Sequence, residues 1–197
     1  SPLPPISIPP DDLPHSYMEG RSDFESTLKQ STTTIKNEIS RMTRLLDQFV
    51  SFARMPSPTV QSVELQPLID EIRGLCQEQI GSGTLVVANH STRSTLLVDP
   101  DQFKQLVINL VKNAQEAMAG VVRLMFSDAD TAFILVVEDS GPGFTPQKLA
   151  APFEPYVSSK KDGSGLGLVI CQRIAIDHGG NIEVYNRSEG GAGVRVT

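Results

Sequence analysis

The sequence predicts an α+β fold in which one long helix precedes a mixed α/β domain. Three observations carry this. Residues 22–54 contain neither proline nor glycine; Leu28, Ile35, Met42 and Phe49 recur every seven residues, and Ile39, Leu46 and Ala53 follow three of them by four, which draws one apolar stripe along a helix. Pro56 and Pro58 in ARMPSP then stop it. From about residue 60, amphipathic stretches alternate with short runs rich in β-branched residues.

Taken in order, residues 1–21 carry prolines at 2, 4, 5, 9, 10 and 14. Each interior proline costs a helix about 3 kcal/mol, so an irregular chain is expected here. Ser22 with Glu25 reads as a capping box heading the helix over 22–54. Its stripe needs a partner, and a helix hairpin or bundle is favoured over a helix buried in one domain. Beyond the linker, VEL (63–65) reads as a strand and Pro67 as the first residue of the helix PLIDEIRGLCQEQ. TLVVAN (84–89) and TLLVD (95–99) read as strands. Residues 99–118 form an amphipathic helix with Phe103, Val107, Leu110, Val111 and Ala114 on one face. VVRLMFS (121–127) and AFILVVED (132–139) read as a hairpin, followed by a Gly- and Lys-containing loop and a helix over 165–178. NIEVYN (181–186) and GVRVT (193–197) close the chain as strands.

The 197 residues suffice for one core plus an accessory element. No apolar run approaches the ~20 residues that span a bilayer, and the start is neither Met nor signal-like; the chain reads as a soluble piece of something longer. A net charge of −6 with unclustered Lys and Arg argues against nucleic acid as a partner, though a few local groups can still hold a nucleotide. Cys76 and Cys171 have no metal-ligand partners at a recognisable spacing and read as reduced thiols.

Three segments carry chemistry. In NLVKNAQEAM, Asn109 and Asn113 stand four residues apart on one helical face. Their amide oxygens are neutral hard ligands suited to Mg²⁺, which keeps most of its waters and binds phosphate oxygens. Lys112 and Glu116 point near the same place or to solvent, and alone the helix reads more simply as a solvated face. In VEDSGPGFTP, Asp139 ends an apolar strand and Gly141 and Gly143 flank Pro142. A carboxylate there can accept from the exocyclic amine of adenine, and the glycines permit close approach; alone, the segment is a turn. In PFEPYVSSKKDGSGLGL, the glycine-rich run 163–168 leads into a helix whose N-terminus favours anions. It is neither a Walker A loop nor a dinucleotide fingerprint. Lys160 and Lys161 lie just upstream as point charges for phosphate.

In this order and spacing the segments resemble the catalytic ATP-binding domain of bacterial sensor histidine kinases, a two-layer α/β sandwich of the type shared with gyrase, Hsp90 and MutL. NLVKNA matches the Asn box, DSGPGF the first glycine box, PFEPY the Phe box and GSGLGL the second glycine box. The resemblance covers about residues 60–197; the helix 22–54 and FARMPSP are similar to the second dimerisation helix and linker of the NtrY-like group. It implies a partial dimerisation region over 1–56 and a catalytic domain over 57–197. It also implies ATP and Mg²⁺ as ligands: Asn113 and Asn109 on the metal and phosphate, with Lys112 beside them; Asp139 on adenine; Gly141 and Gly143 shaping the pocket; Phe153 anchoring a lid; and Lys160, Gly163, Ser164, Gly165, Leu166 and Gly167 over the phosphates. Gyrase-like relatives carry a water-activating Glu where this chain has Asn109.

The same resemblance implies a homodimer through helix 22–54, a response-regulator receiver domain as partner, and a place in the cytosolic portion of a membrane-anchored sensor. Ser1-Pro2 matches the end of the family's His-Glu-x-x-Asn/Ser-Pro box, which puts the acceptor His four residues before Ser1 and leaves no catalytic acceptor in the chain, so this piece is expected not to autophosphorylate. His15 lacks a following acid, and His90 and His178 read as surface or capping histidines. Two other readings keep the fold and change the activity: a non-catalytic pseudokinase or interaction module, and an ATPase or Ser kinase such as an anti-sigma factor.

Overall fold

The computed structural model describes residues 24–53, 55–80, 83–117, 120–130, 132–155 and 165–197. The Pro-rich start, Ser22, Lys160, Gly163 and Ser164 lie outside them. The chain divides into two compact units, Ser1–Ser51 and Phe52–Thr197.

In the first unit, α1 (Phe24–Ala53) runs without interruption. Five β-branched threonines occur within it, and the hydroxyls of Thr32, Thr33, Thr34 and Thr43 each donate to the carbonyl four residues back, so these four are satisfied without breaking the helix. The apolar stripe stays exposed: Leu28, Ile35, Ile39, Met42, Leu46 and Val50 are 38–61% accessible.

In the second unit the order is β1 (Gln61–Glu64), α2 (Leu65–Ile80), β2 (Thr84–Asn89), β3 (Thr95–Val98), α3 (Pro100–Glu116), β4 (Val121–Ala129), β5 (Ala132–Asp139), α4 (Pro146–Ala150), α5 (Gly167–Asp177), β6 (Ile182–Asn186) and β7 (Ala192–Val196). β1 and β3 form a small antiparallel ribbon, while the main sheet runs β2-β4-β5-β7-β6, with β2 parallel to β4 and every other pair antiparallel. Helices α2, α3 and α5 form the second layer, with α3 between the other two. This is the α+β architecture expected, with a mixed sheet.

Alternation along the strands fixes which face is core. Val122, Leu124 and Phe126 of β4 and Leu135 and Val137 of β5 are buried against the apolar faces of α2, α3 and α5. Phe126 lies 6.2 Å from Phe133, which lies 6.3 Å from Phe103 on α3, joining sheet to helix. Truncation of Phe126, which is fully buried, costs about 3–5 kcal/mol. Both cysteines are buried and unbridged; burial raises the Cys76 thiol to about 11 and pushes Cys171 higher still.

Three details differ from the sequence reading. Leu65 opens α2 instead of ending β1, so Pro67 falls in the third helical position rather than the first. The loop after β5 contains α4, started by Thr145, whose hydroxyl accepts from Lys148 N, and by Pro146 at the first position. The last long helix begins at Gly167 and ends at Asp177.

Candidate nucleotide site

The site is assembled by the C-terminal half of α3. That helix starts firmly: Asp99 caps it by accepting from Asp101 N and Gln102 N, and Pro100 takes the first position. Its apolar face, from Phe103 to Ala114, is buried, which sets the rotation of the helix. Asn109 and Asn113 therefore sit half-buried at the edge of that face while Lys112 is exposed. Asn109 keeps its Nδ2 buried with no hydrogen-bond partner among the described residues. A buried donor of this kind is costly unless something outside the protein accepts from it.

Each glycine box closes on this helix end. A Cβ on Gly167, the first residue of α5, would stand 3.2 Å from Asn113 Oδ1; a Cβ on Gly141 would stand 3.1 Å from Ala117 O and 3.0 Å from Asp139 Oδ1. Glycine is thus what lets α5 and the β5 loop approach α3 this closely. Gly165 precedes α5 at φ +69°. Leu166 is 2% exposed, so its side chain belongs to the core and a ligand would meet only its main chain. Phe153 is half-buried and packs on the core, and on α4 burial holds the Lys148 ammonium below its usual range.

Asp139 is buried at 6% exposure. Its Oδ1 accepts from Gly141 N at 2.7 Å and Ala192 N at 3.1 Å. Both of these bonds fall on one oxygen, which orients the carboxylate. The loop beyond is held by Asn186, whose amide accepts from Phe144 N at 2.6 Å and donates to Phe144 O at 2.9 Å, with Gly143 at φ +83° packed against it.

The sequence reading missed Asn186, Arg187, Gly191 and Ala192, all of which touch the Asp139 loop. The glycines at 190, 191 and 193 in a short hairpin were the available signal, since close backbone approach needs them.

Residues 98–197 match the family described as histidine kinase-, DNA gyrase B- and HSP90-like ATPase. The chain belongs to that family. Within it, the catalytic domain is of the bacterial sensor histidine kinase type. A Rickettsia felis protein named as an NtrY-like sensor histidine kinase is 31% identical over 98% of this chain and 33% of its own length. The catalytic domain of the histidine kinase ThkA is 30% identical, with a TM-score of 0.60 over 70% of this chain and 93% of that one. Full-length ShkA, solved in complex with AMPPNP, is 26% identical, with a TM-score of 0.68 over 89% of this chain and 38% of its own. The chain spans about a third of the length of the curated relatives it matches. Among the described residues no helix is long and apolar enough to cross a membrane.

Proposed function

We propose that this ATPase domain is the nucleotide-binding part of a sensor histidine kinase core. It holds Mg²⁺-ATP between α3, the Asp139 loop and α5. In the intact protein the γ-phosphoryl group passes to a histidine and then to an aspartate on a response-regulator receiver domain. The observation that carries this reading is the convergence at one end of α3, where Asn113 meets Gly167 and Ala117 meets the Gly141 turn of Asp139.

The donor set suits Mg²⁺. The described residues contain no group of three His, Cys, Asp or Glu able to hold a metal, so an ion here rests on the Asn113 and Asn109 amide oxygens and on phosphate oxygens, the environment Mg²⁺ favours. When bound, the ion neutralises charge on the transferring phosphoryl group. The buried Nδ2 of Asn109 offers a donor to a phosphate oxygen. The main-chain N–H groups opening α5 add a further anion site. Asp139 Oδ2 accepts from the adenine amine; guanine presents a carbonyl there and leaves two acceptors face to face. With Asn109 where gyrase-like relatives carry a Glu, no carboxylate on that turn activates water, which favours transfer to a protein side chain over hydrolysis. The chain's own His15, His90 and His178 are not acceptors, and it does not autophosphorylate. The exposed stripe of α1 pairs with the same stripe of a second copy; a strictly monomeric sedimentation profile at high micromolar concentration refutes that part.

The test is calorimetric titration with AMPPNP and Mg²⁺. Wild type binds, and Asp139→Asn weakens binding by at least about a hundredfold. Absent binding, or binding unchanged in the variant, refutes the site. Phosphate transfer to a separately supplied helical bundle bearing an acceptor histidine then separates a kinase from a scaffold.

A further inference from the structure

The base-recognition loop is held from behind by the last hairpin, and the sheet register shows how. Val137 pairs with Val194 and Glu138 with Gly193 across β5 and β7; Tyr185 pairs with Gly193 and Asn186 with Ala192 across β7 and β6. Glu138, Gly193 and Tyr185 therefore form one row across three strands, and Asn186 and Ala192 are the next pair along β6 and β7. In the row of three the middle position is a glycine. A Cβ on Gly193 would stand 2.3 Å from the Tyr185 ring, so the ring lies across the bare backbone and its hydroxyl reaches Glu138 Oε1 at 2.9 Å. Burial, with that bond, raises the Tyr185 phenol to about 12, which keeps it a donor at any working pH. The other oxygen of Glu138 takes Arg187 Nε at 3.0 Å, both side chains being mostly buried. Arg187 then donates through one nitrogen to Asp139 O at 3.2 Å and Gly190 O at 3.1 Å. Just past the end of the β5–β7 pairing, Ala192 N–H donates to Asp139 Oδ1. Gly191, at φ +98°, lies so close to Asp139 that a Cβ would meet its carbonyl oxygen at 1.9 Å.

We infer that Arg187 and Asn186, backed by Glu138 and Tyr185, are positioning residues that set the specificity of the nucleotide site: Arg187 clamps the main chain before the glycine box, Asn186 clamps it after, and between them the Asp139 carboxylate is held in one orientation. This rests on the reading of Asp139 as the adenine acceptor. The guanidinium is required as such, because an ammonium cannot bond two carbonyls and a carboxylate in one plane.

The experiment uses the full chain with Arg187→Met, Arg187→Lys, Asn186→Ala and the double variant Glu138→Gln/Arg187→Met, the last removing both partners of a buried pair so that no lone charge remains. Two quantities are read: amide hydrogen exchange at Gly141 and Ala192 against core amides such as Leu124, and the affinities for ADP and GDP. Protection at Gly141 and Ala192 is expected to fall at least tenfold in the Arg187 variants while Leu124 is unchanged. ADP affinity is expected to fall about ten- to a hundredfold in all four, narrowing the ADP:GDP ratio, and Arg187→Lys is expected not to rescue. Unchanged protection, or full rescue by lysine, overturns the inference whether or not nucleotide binds. Absence of ADP binding by wild type sinks the nucleotide reading instead, and the exchange data still decide on the clamp.

Discussion

The two ends of α3 are built on opposite plans. At the N-terminal end the protein satisfies most of its own polar groups, Gln102 Oε1 excepted. Asp99 Oδ1 takes the first turn of the helix, Oδ2 takes Thr59 N at 2.8 Å, and the Asp99 N–H donates to His178 Nε2 at 3.0 Å. Gln102 Nε2 donates to Pro56 O at 3.0 Å, which straps the linker to the helix. At the C-terminal end contacts are made by glycines, and the amide donor of Asn109 is buried without a partner among the described residues. One end is a joint, held mostly by polar groups completed internally; the other is a candidate socket, where close backbone approach leaves the Asn109 donor incomplete among the described residues.

The contrast can be broken from the socket side first. Gly141→Ala places a methyl 3.0 Å from Asp139 Oδ1 and 3.1 Å from Ala117 O. We expect nucleotide affinity to fall by about a hundredfold with a stability loss of only about 1 kcal/mol, by calorimetry and thermal melting on the same sample. A loss of stability without loss of affinity would show that the glycine serves packing alone.

The joint is expected to respond in the opposite sense. Asp99→Ala removes the cap and the Thr59 bond and should cost about 2 kcal/mol, with little change in affinity well below the melting temperature. Burial pushes the Asp99 carboxyl up, but hydrogen bonds from the N–H groups of Thr59, Gln102 and Asp101 outweigh it and hold the carboxyl below its usual range. A depressed folded-state value means the stabilisation is complete above the ordinary carboxylate value near 3.9 and is lost as pH falls through the lower folded value. The wild-type minus variant difference in denaturant unfolding should therefore be flat from pH 7 to about 5 and shrink below about pH 4.

The smallest effect is expected at Gln102, whose Oε1 is buried without a partner among the described residues. Gln102→Met forfeits the Pro56 bond and also removes that unsatisfied atom, so the two terms oppose and the change should stay within about 1 kcal/mol. A loss of several kcal/mol would mean the strap matters more than its geometry implies.

What could be read from the chain follows from distance along it. Asn109 and Asn113 were visible because a helix brings residues four apart together. The β4–β5 hairpin was visible because its two strands are consecutive and rich in β-branched and aromatic residues. The support behind Asp139 was not, because Tyr185, Asn186 and Arg187 reach it only through the order β5-β7-β6, a non-local pairing that local pattern does not encode. The Leu65 boundary failed for another reason: an apolar residue between a strand and a helix suits either, and its burial against the core at 1% exposure is served by the first turn of α2. Asp139 was thus legible as a candidate recognition group, while the side chains that hold its loop were not.

His178 closes α5, and both its ring nitrogens are engaged. Nδ1 lies 2.8 Å from Ile174 O, and Nε2 accepts the Asp99 N–H. The second contact requires a lone pair on Nε2, so the nitrogen beside Ile174 O is the one that carries a proton. The Nε2 lone pair is engaged by the Asp99 N–H. This imidazole therefore serves as a fastener between the end of α5 and the start of α3, each of its ring nitrogens spoken for by main chain.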